Sequence, residues 1–223
     1  MPRLPFRRCG AALVVATVAV VLVPAPSQAV EAGDRSSGPR LSPSRYPSVQ
    51  AVARIFPDYR GGTRELLGGR QLSLAGADCR TVDVAGTQPR AGGVATYFAR
   101  GGDDPFFSGD TSVVVALYDF RRPKRAQAAL DEERDTVQGC YGPNFDEDGY
   151  GATFSSLAAP ELADDRFAYR YISHDANTGD DFFVQVYFRR GRFLGAAFLQ
   201  RDRSAPSAAA AFRLARAAVR SAS

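Results

Sequence analysis

An α+β fold, with a mainly antiparallel sheet of about six to seven strands packed with two long helices, follows from three features of this 223-residue sequence. Two stretches, residues 123–138 and 208–222, carry apolar residues at helical spacing. Between them, from residue 150 to residue 200, four strand-like segments rich in aromatics follow one another with short turns, and strands joined in that way run antiparallel. Two cysteines, Cys79 and Cys140, stand at a strand start and a helix end, where one helix–sheet disulfide would join the two layers.

The N-terminus reads as a targeting segment. Arg3, Arg7 and Arg8 precede an uncharged apolar run over residues 11–23, Pro24 and Pro26 break it, and Ser27-Gln28-Ala29 offers small residues for cleavage. This is the order of a secretory signal peptide, residues 1–29, and the run is short of the ~20 residues that span a bilayer. Residues 30–45 are rich in Ser, Pro, Gly and Arg and read as a flexible linker. Residues 46–223 then form a single domain of ordinary size. Without the signal the chain has 25 basic and 24 acidic side chains, a net charge of +1, so its basic isoelectric point gives no case for nucleic-acid binding. The expected location is extracytoplasmic, as a secreted monomer with no membrane-spanning segment after cleavage.

Along the domain, Pro47 opens a short helix ended by Pro57, and residues 63–67 read as a further helical turn before Gly68-Gly69. Residues 79–84 ("CRTVDV") and 93–99 ("GVATYFA") read as strands. Residues 111–120 ("TSVVVALYDF") are apolar on both faces, as a covered central strand requires. Pro123 opens the first long helix, with Ala126, Ala129, Leu130 and Val137 on one face and Cys140 continuing that stripe toward the sheet. Glu133 falls on the same stripe, either as an edge position reaching solvent or an arginine, or as a polar group lining a cavity. In the meander, Phe167, Tyr169 and Tyr171 share one face; Phe182, Val184, Val186 and Phe188 share another, opposite Gln185 and Arg189. Arg190-Gly191 reads as the hairpin turn before the last strand. In the final helix, Arg213, Arg216 and Arg220 line the face opposite the apolar one, either as a solvated face or as a membrane or partner surface.

Export predicts that Cys79 and Cys140 pair, closing a loop of about 60 residues. The rival reading is a Cys140 nucleophile with His174 as base, which would make the chain a secreted hydrolase. The segment 144–149 ("NFDEDG") places Asn144, Asp146 and Asp148 as in the first half of a calcium loop, or forms a solvated turn. The loop 100–110 ("RGGDDPFFSGD") offers Asp103, Asp104 and Asp110, and its Phe106 and Phe107 either fold onto the core or form an apolar lip over a pocket. His174 falls in a polar stretch read as a solvated loop. No nucleophile elbow, zinc-protease, P-loop or dinucleotide motif occurs, and no cofactor is implied. Tyr97, Tyr118, Tyr169, Tyr171 and Tyr187 are the candidates for a ligand-binding sheet face, because tyrosine joins apolar area to a hydroxyl.

The cysteine before a strand (Cys79), "TSVVVALYDF", the helix opening with "PKRAQAAL" and ending at "GC", the aromatic meander and the closing Ala/Arg helix together resemble the PknH-like extracellular sensor family of actinobacterial receptor kinases, which also has free-standing secreted members. The resemblance runs from about Tyr46 to Ser223. It implies a non-enzymatic domain whose sheet lines a cleft for a small molecule or cell-envelope component. The chain departs from the kinase domains in having two mature cysteines where they have four, no tryptophan, and no kinase motif.

Overall fold

The computed structural model describes residues 39–68, 73–75, 81–83, 89–101, 111–145, 151–175 and 179–223. Among these are three α-helices, α1 (Val49–Ala53), α2 (Pro123–Gly139) and α3 (Ala208–Ala222). Ten strands accompany them: β1 (Thr63–Gly68), β2 (Ser73–Ala75), β3 (Thr81–Asp83), β4 (Ala91–Phe98), β5 (Ser112–Asp119), β6 (Gly142–Phe145), β7 (Gly151–Leu157), β8 (Asp165–Asp175), β9 (Gly179–Arg190) and β10 (Phe193–Arg201). Eight of them form one sheet in the order β1-β4-β5-β10-β9-β8-β7-β6, and β2 and β3 pair as a separate two-stranded sheet. Every neighbouring pair in the large sheet is antiparallel.

The chain leaves β5 in the middle of the sheet and re-enters it at β6, the far edge, so α2 must cross the strands between. Five interstrand steps at about 4.8 Å make about 24 Å, and 17 helical residues rising 1.5 Å each make about 25 Å. The helix is thus as long as the crossing it performs. Pro123 sits in its first turn, where a missing N–H costs nothing. Ala126, Ala129, Leu130, Glu133 and Val137 are its buried residues, and they share a core with Tyr118, Phe154, Phe167, Tyr169, Tyr171, Phe183, Tyr187 and Leu194. Helix α3 covers the other face, over β5, β9 and β10. There Leu214, Ala215 and Ala218 meet Val113, Val115, Leu117, Val184, Val186 and Phe188. Gly195 makes this seam possible: a Cβ there would come within 2.3 Å of the Phe188 ring.

Five sequence expectations are corrected. Residues 63–67 are a strand, not a helical turn: exposure alternates along them, and β1 pairs with β4 over its whole length. Five residues cannot meet the cost of nucleating a helix when a sheet edge offers each one a ladder partner. Of the segment 79–84 the described residues are β3, which lies outside the large sheet. The strand β6 was not foreseen, because Gly142 and Pro143 disguise it; with β1 it raises the count of the large sheet to eight. The last hairpin turns one residue later than expected, at Gly191-Arg192, since Arg190 pairs with Phe193. Gly191 takes the left-handed φ of +56° there, which arginine would adopt less readily. At α1, Ser48 is the cap, accepting a hydrogen bond from the Ala51 N–H, and Pro47 lies just outside.

Candidate functional site

The centre of β8 and β9 beneath α2 holds a polar cluster inside an aromatic layer. Alternation along the strands aims Phe167, Tyr169 and Tyr171 of β8, and Phe183, Gln185 and Tyr187 of β9, at the helix. The rings then meet their cross-strand partners. Phe167 stacks on Tyr187 with centroids 5.0 Å apart, Tyr171 on Phe183 at 4.2 Å, and Phe154 of β7 on Tyr171 at 5.1 Å. Polar atoms are threaded between them. The Tyr169 hydroxyl donates to Gln185 Oε1 at 2.7 Å. The Tyr187 hydroxyl is hydrogen-bonded to Glu133 of α2 and to Tyr169.

Glu133 is 1% exposed, so of its two sequence readings the solvent-reaching edge is excluded. Burial foremost, and then the Glu133 carboxyl, hold the Tyr169 and Tyr187 hydroxyls protonated far above the ordinary tyrosine range. A buried carboxyl, two or more hydroxyls and an amide, fixed by ring stacking, form a hydrogen-bonding set able to recognise a small polar group lying on an apolar ring surface. Among the described residues the exposed member is Tyr141, just past α2 and near the Tyr169 hydroxyl. Ala152 and Phe198, half-buried, border the same layer.

One flank of α2 is fastened by a second, charged network. Arg134 reaches Asp131 and Asp165, each at 2.8 Å, and lies 5.5 Å over the Phe167 ring. Gln127 Nε2 donates to Asp165 Oδ2 at 2.6 Å, and Arg189 Nε donates to Gln127 Oε1 at 2.5 Å. The adjacent acids Asp164 and Asp165 divide their work: Asp164 accepts from the Gly191 N–H and pairs with Arg189 and Arg190.

Of the five candidate tyrosines, Tyr118, Tyr169, Tyr171 and Tyr187 share the α2 face. Tyr97 faces α3, where its hydroxyl donates to the Pro47 carbonyl at 2.7 Å, so it does not join the other four. All five are buried. Glu133, Tyr141, Gln185, Phe154 and Phe183 belong to the cluster without having been named as ligand residues. The stripe position of Glu133 and the alternation of Gln185 with the tyrosines were the available signals.

Cys140 is buried against the α2 face of the sheet. His174 lies on a strand, not in a loop. Its Nδ1 is 2.9 Å from Asp180 Oδ1 and its Nε2 is 3.1 Å from Thr153 Oγ1, a row that ties β7, β8 and β9 together. Alternation places His174 on the face opposite Cys140, so the proposed thiol–imidazole pair does not form. Arg213, Arg216 and Arg220 are exposed along α3. Cys79, Phe106, Phe107, Asp103, Asp104, Asp110, Asp146 and Asp148 lie outside the described residues, as does the side chain of Asn144. Among the described residues no three His, Cys, Asp or Glu side chains cluster as a metal site, and no helix is long and apolar enough to cross a membrane.

No protein-family model matches the chain. No curated protein matches it either. Among solved structures, the extracellular domain of PknH from Mycobacterium tuberculosis matches with a TM-score of 0.53 and 14% identity, over 79% of this chain and 92% of that one. A putative uncharacterized protein (Rv0999 ortholog) from Mycobacterium smegmatis matches with a TM-score of 0.42 and 11% identity, over 80% of this chain and 98% of that one. The described chain therefore has the fold of the PknH extracellular domain, an antiparallel sheet between helices.

Proposed function

We propose that this protein is an exported, non-enzymatic sensor-like domain that binds a small molecule on the aromatic layer beneath and beyond the C-terminal end of α2. One observation carries the reading: a carboxyl group, Glu133, is buried among tyrosine hydroxyls on a seam that alanine, leucine and valine otherwise fill. Burying a carboxyl costs stability, and groups that cost stability and yet converge on a defined point are those most often kept for recognition. Tyr169, Tyr187, Gln185 and Glu133 would read the polar part of the ligand. Tyr171, Phe154 and Phe183 would take its apolar part, with entry past Tyr141. Tyr118 lines the same face closer to the start of α2.

Three further elements belong to this reading. Residues 1–29 act as a cleaved signal. Cys79 bonds to Cys140, a pairing supported by the burial of Cys140 and by the packing of β2, four residues before Cys79, beside α2. Phe106 and Phe107 remain candidates for a lip over the site. The likeness to an extracellular domain supports an extracytoplasmic place and supplies no catalytic residues.

The test is native mass spectrometry of the exported chain purified without detergent from its own host. A small molecule should co-purify, and its occupancy should fall at least tenfold in Tyr187→Phe and in Glu133→Gln, each with an unchanged fold by circular dichroism. Occupancy unaffected by both variants would refute the site.

A further inference from the structure

One end of the molecule is cationic. Arg90 precedes β4, Arg121 and Arg122 follow β5, Lys124 and Arg125 lie in the first turn of α2, and Arg192 is in the β9–β10 turn; all six are exposed. Three backbone connections make them neighbours although they come from separate elements. The Arg90 N–H donates to the Asp119 carbonyl at 2.7 Å, the Phe120 N–H donates to the Arg192 carbonyl at 2.9 Å, and Arg122 is the N-cap of α2. The described acids beside them are Asp119, buried and 2.7 Å from Arg192 Nε, and Asp164, which accepts from the Gly191 N–H next to Arg192 and is taken up by Arg189 and Arg190. The first turn of α2 carries no acidic residue and no side-chain cap, so the helix dipole adds to the positive field.

The chain also enters the domain at this end. Pro39 accepts from the Gly92 N–H, and Arg40 bridges Gly92 in parallel to β4. Since β4 starts at this end and the entering segment runs the same way, residues before Pro39 are joined to the cationic end.

We propose that this cationic end is a docking surface for anionic phospholipid headgroups, separate from both the aromatic site and the arginine row of α3. Headgroup phosphates fit it because six exposed cations from separate elements outnumber the acids beside them, and the N-terminus of α2 adds to their field. Each basic residue near an anionic bilayer raises binding roughly fivefold, and salt screens the effect within about 10 Å.

The test is co-sedimentation of the exported chain, purified without detergent, with vesicles of phosphatidylglycerol and phosphatidylcholine, and with pure phosphatidylcholine vesicles. Binding should require phosphatidylglycerol and be lost in high salt. It should fall at least a hundredfold in the quadruple variant R121Q/R122Q/K124Q/R125Q and change less than threefold in R213Q/R216Q/R220Q, with both variants melting as the unaltered chain does. Equal binding to neutral vesicles, or loss in the α3 variant with retention in the quadruple one, would overturn the assignment. So would preference for soluble polyphosphate over vesicles, which would assign the surface to a wall polymer.

Discussion

Glu133 occupies a position on α2 where leucine would complete the apolar seam, flanked one turn earlier by Leu130 and Ala129 and one turn later by Val137. Its cost can be separated from its role. In Glu133→Leu the Tyr187 hydroxyl loses a hydrogen-bond partner inside a layer that excludes water, which should destabilise the fold by about 1–3 kcal/mol. Adding Tyr187→Phe removes the orphaned hydroxyl as well. An apolar pair of similar shape should then match or exceed the stability of the unaltered chain, as replaced buried charges often do. Chemical denaturation of the two variants decides the point. If the double variant is weaker than Glu133→Leu alone, Glu133 and Tyr187 hold the fold together and their polarity needs no ligand to explain it. If it recovers stability but loses the co-purified molecule, the pair is retained for binding.

Helix α2 is held over the site by apolar burial along one stripe and by the Arg134–Asp165–Gln127–Arg189 network along its flank. The network should make helix attachment acid-sensitive. Burial would raise the pKa of Asp165, but hydrogen bonds from Gln127 and Arg134 outweigh it and hold the carboxyl below its ordinary value of 3.8. Asp164 is also lowered, first by the hydrogen bond from the Gly191 N–H and then by its arginines. A carboxyl with a depressed folded-state pKa contributes stability fully above its unfolded value and loses it as pH falls through the folded one. The contribution should therefore be complete above about pH 5 and decline below pH 4. Asp165→Asn should melt a few degrees lower than the unaltered chain at pH 7, because these part-exposed pairs are each worth roughly 1 kcal/mol or less. The gap between the two melting curves should narrow progressively as pH falls below 4. A gap that stays constant from pH 7 until the chain unfolds in acid would show that Asp165 acts through shape and not charge. The same network was hidden in the sequence: Asp164 and Asp165 belong to no periodic pattern, and only the path of α2 across the sheet brings Gln127 and Arg134 onto Asp165.

Across the whole molecule, what the sequence made legible was whatever repeats with a period. The two long helices, the meander from β7 to β10 and the sorting of its aromatics to one face all follow from alternation or from helical spacing, and such patterns persist in a fold shared at 14% identity. Pairing across long separations was not legible. Thr63–Gly68 becomes a strand only because β4 lies open beside it, and β6 only because α2 delivers the chain to the edge of β7. The site followed the same division: Tyr169, Tyr171, Tyr187 and Gln185 fell to their faces by alternation, while Tyr97 was separated from the other tyrosines only once the covering helices were placed. The proposed Cys79–Cys140 bond would join the two least periodic parts, the region of the β2–β3 hairpin and the end of α2, which gives it more to do than a link within the sheet. On the chain-entropy account, closing about 60 residues contributes about 4 kcal/mol, which for a domain of this size corresponds to a melting shift of roughly 10 °C. The exported chain should therefore contain no titratable thiol once its signal is removed, and should melt about that much lower after reduction. Cys79→Ala/Cys140→Ala should melt at the temperature of the reduced chain and be indifferent to reductant. Two reactive thiols in the folded chain, or a melting temperature that reductant leaves unchanged, would remove the bond and leave α2 held by its stripe and its charged flank alone.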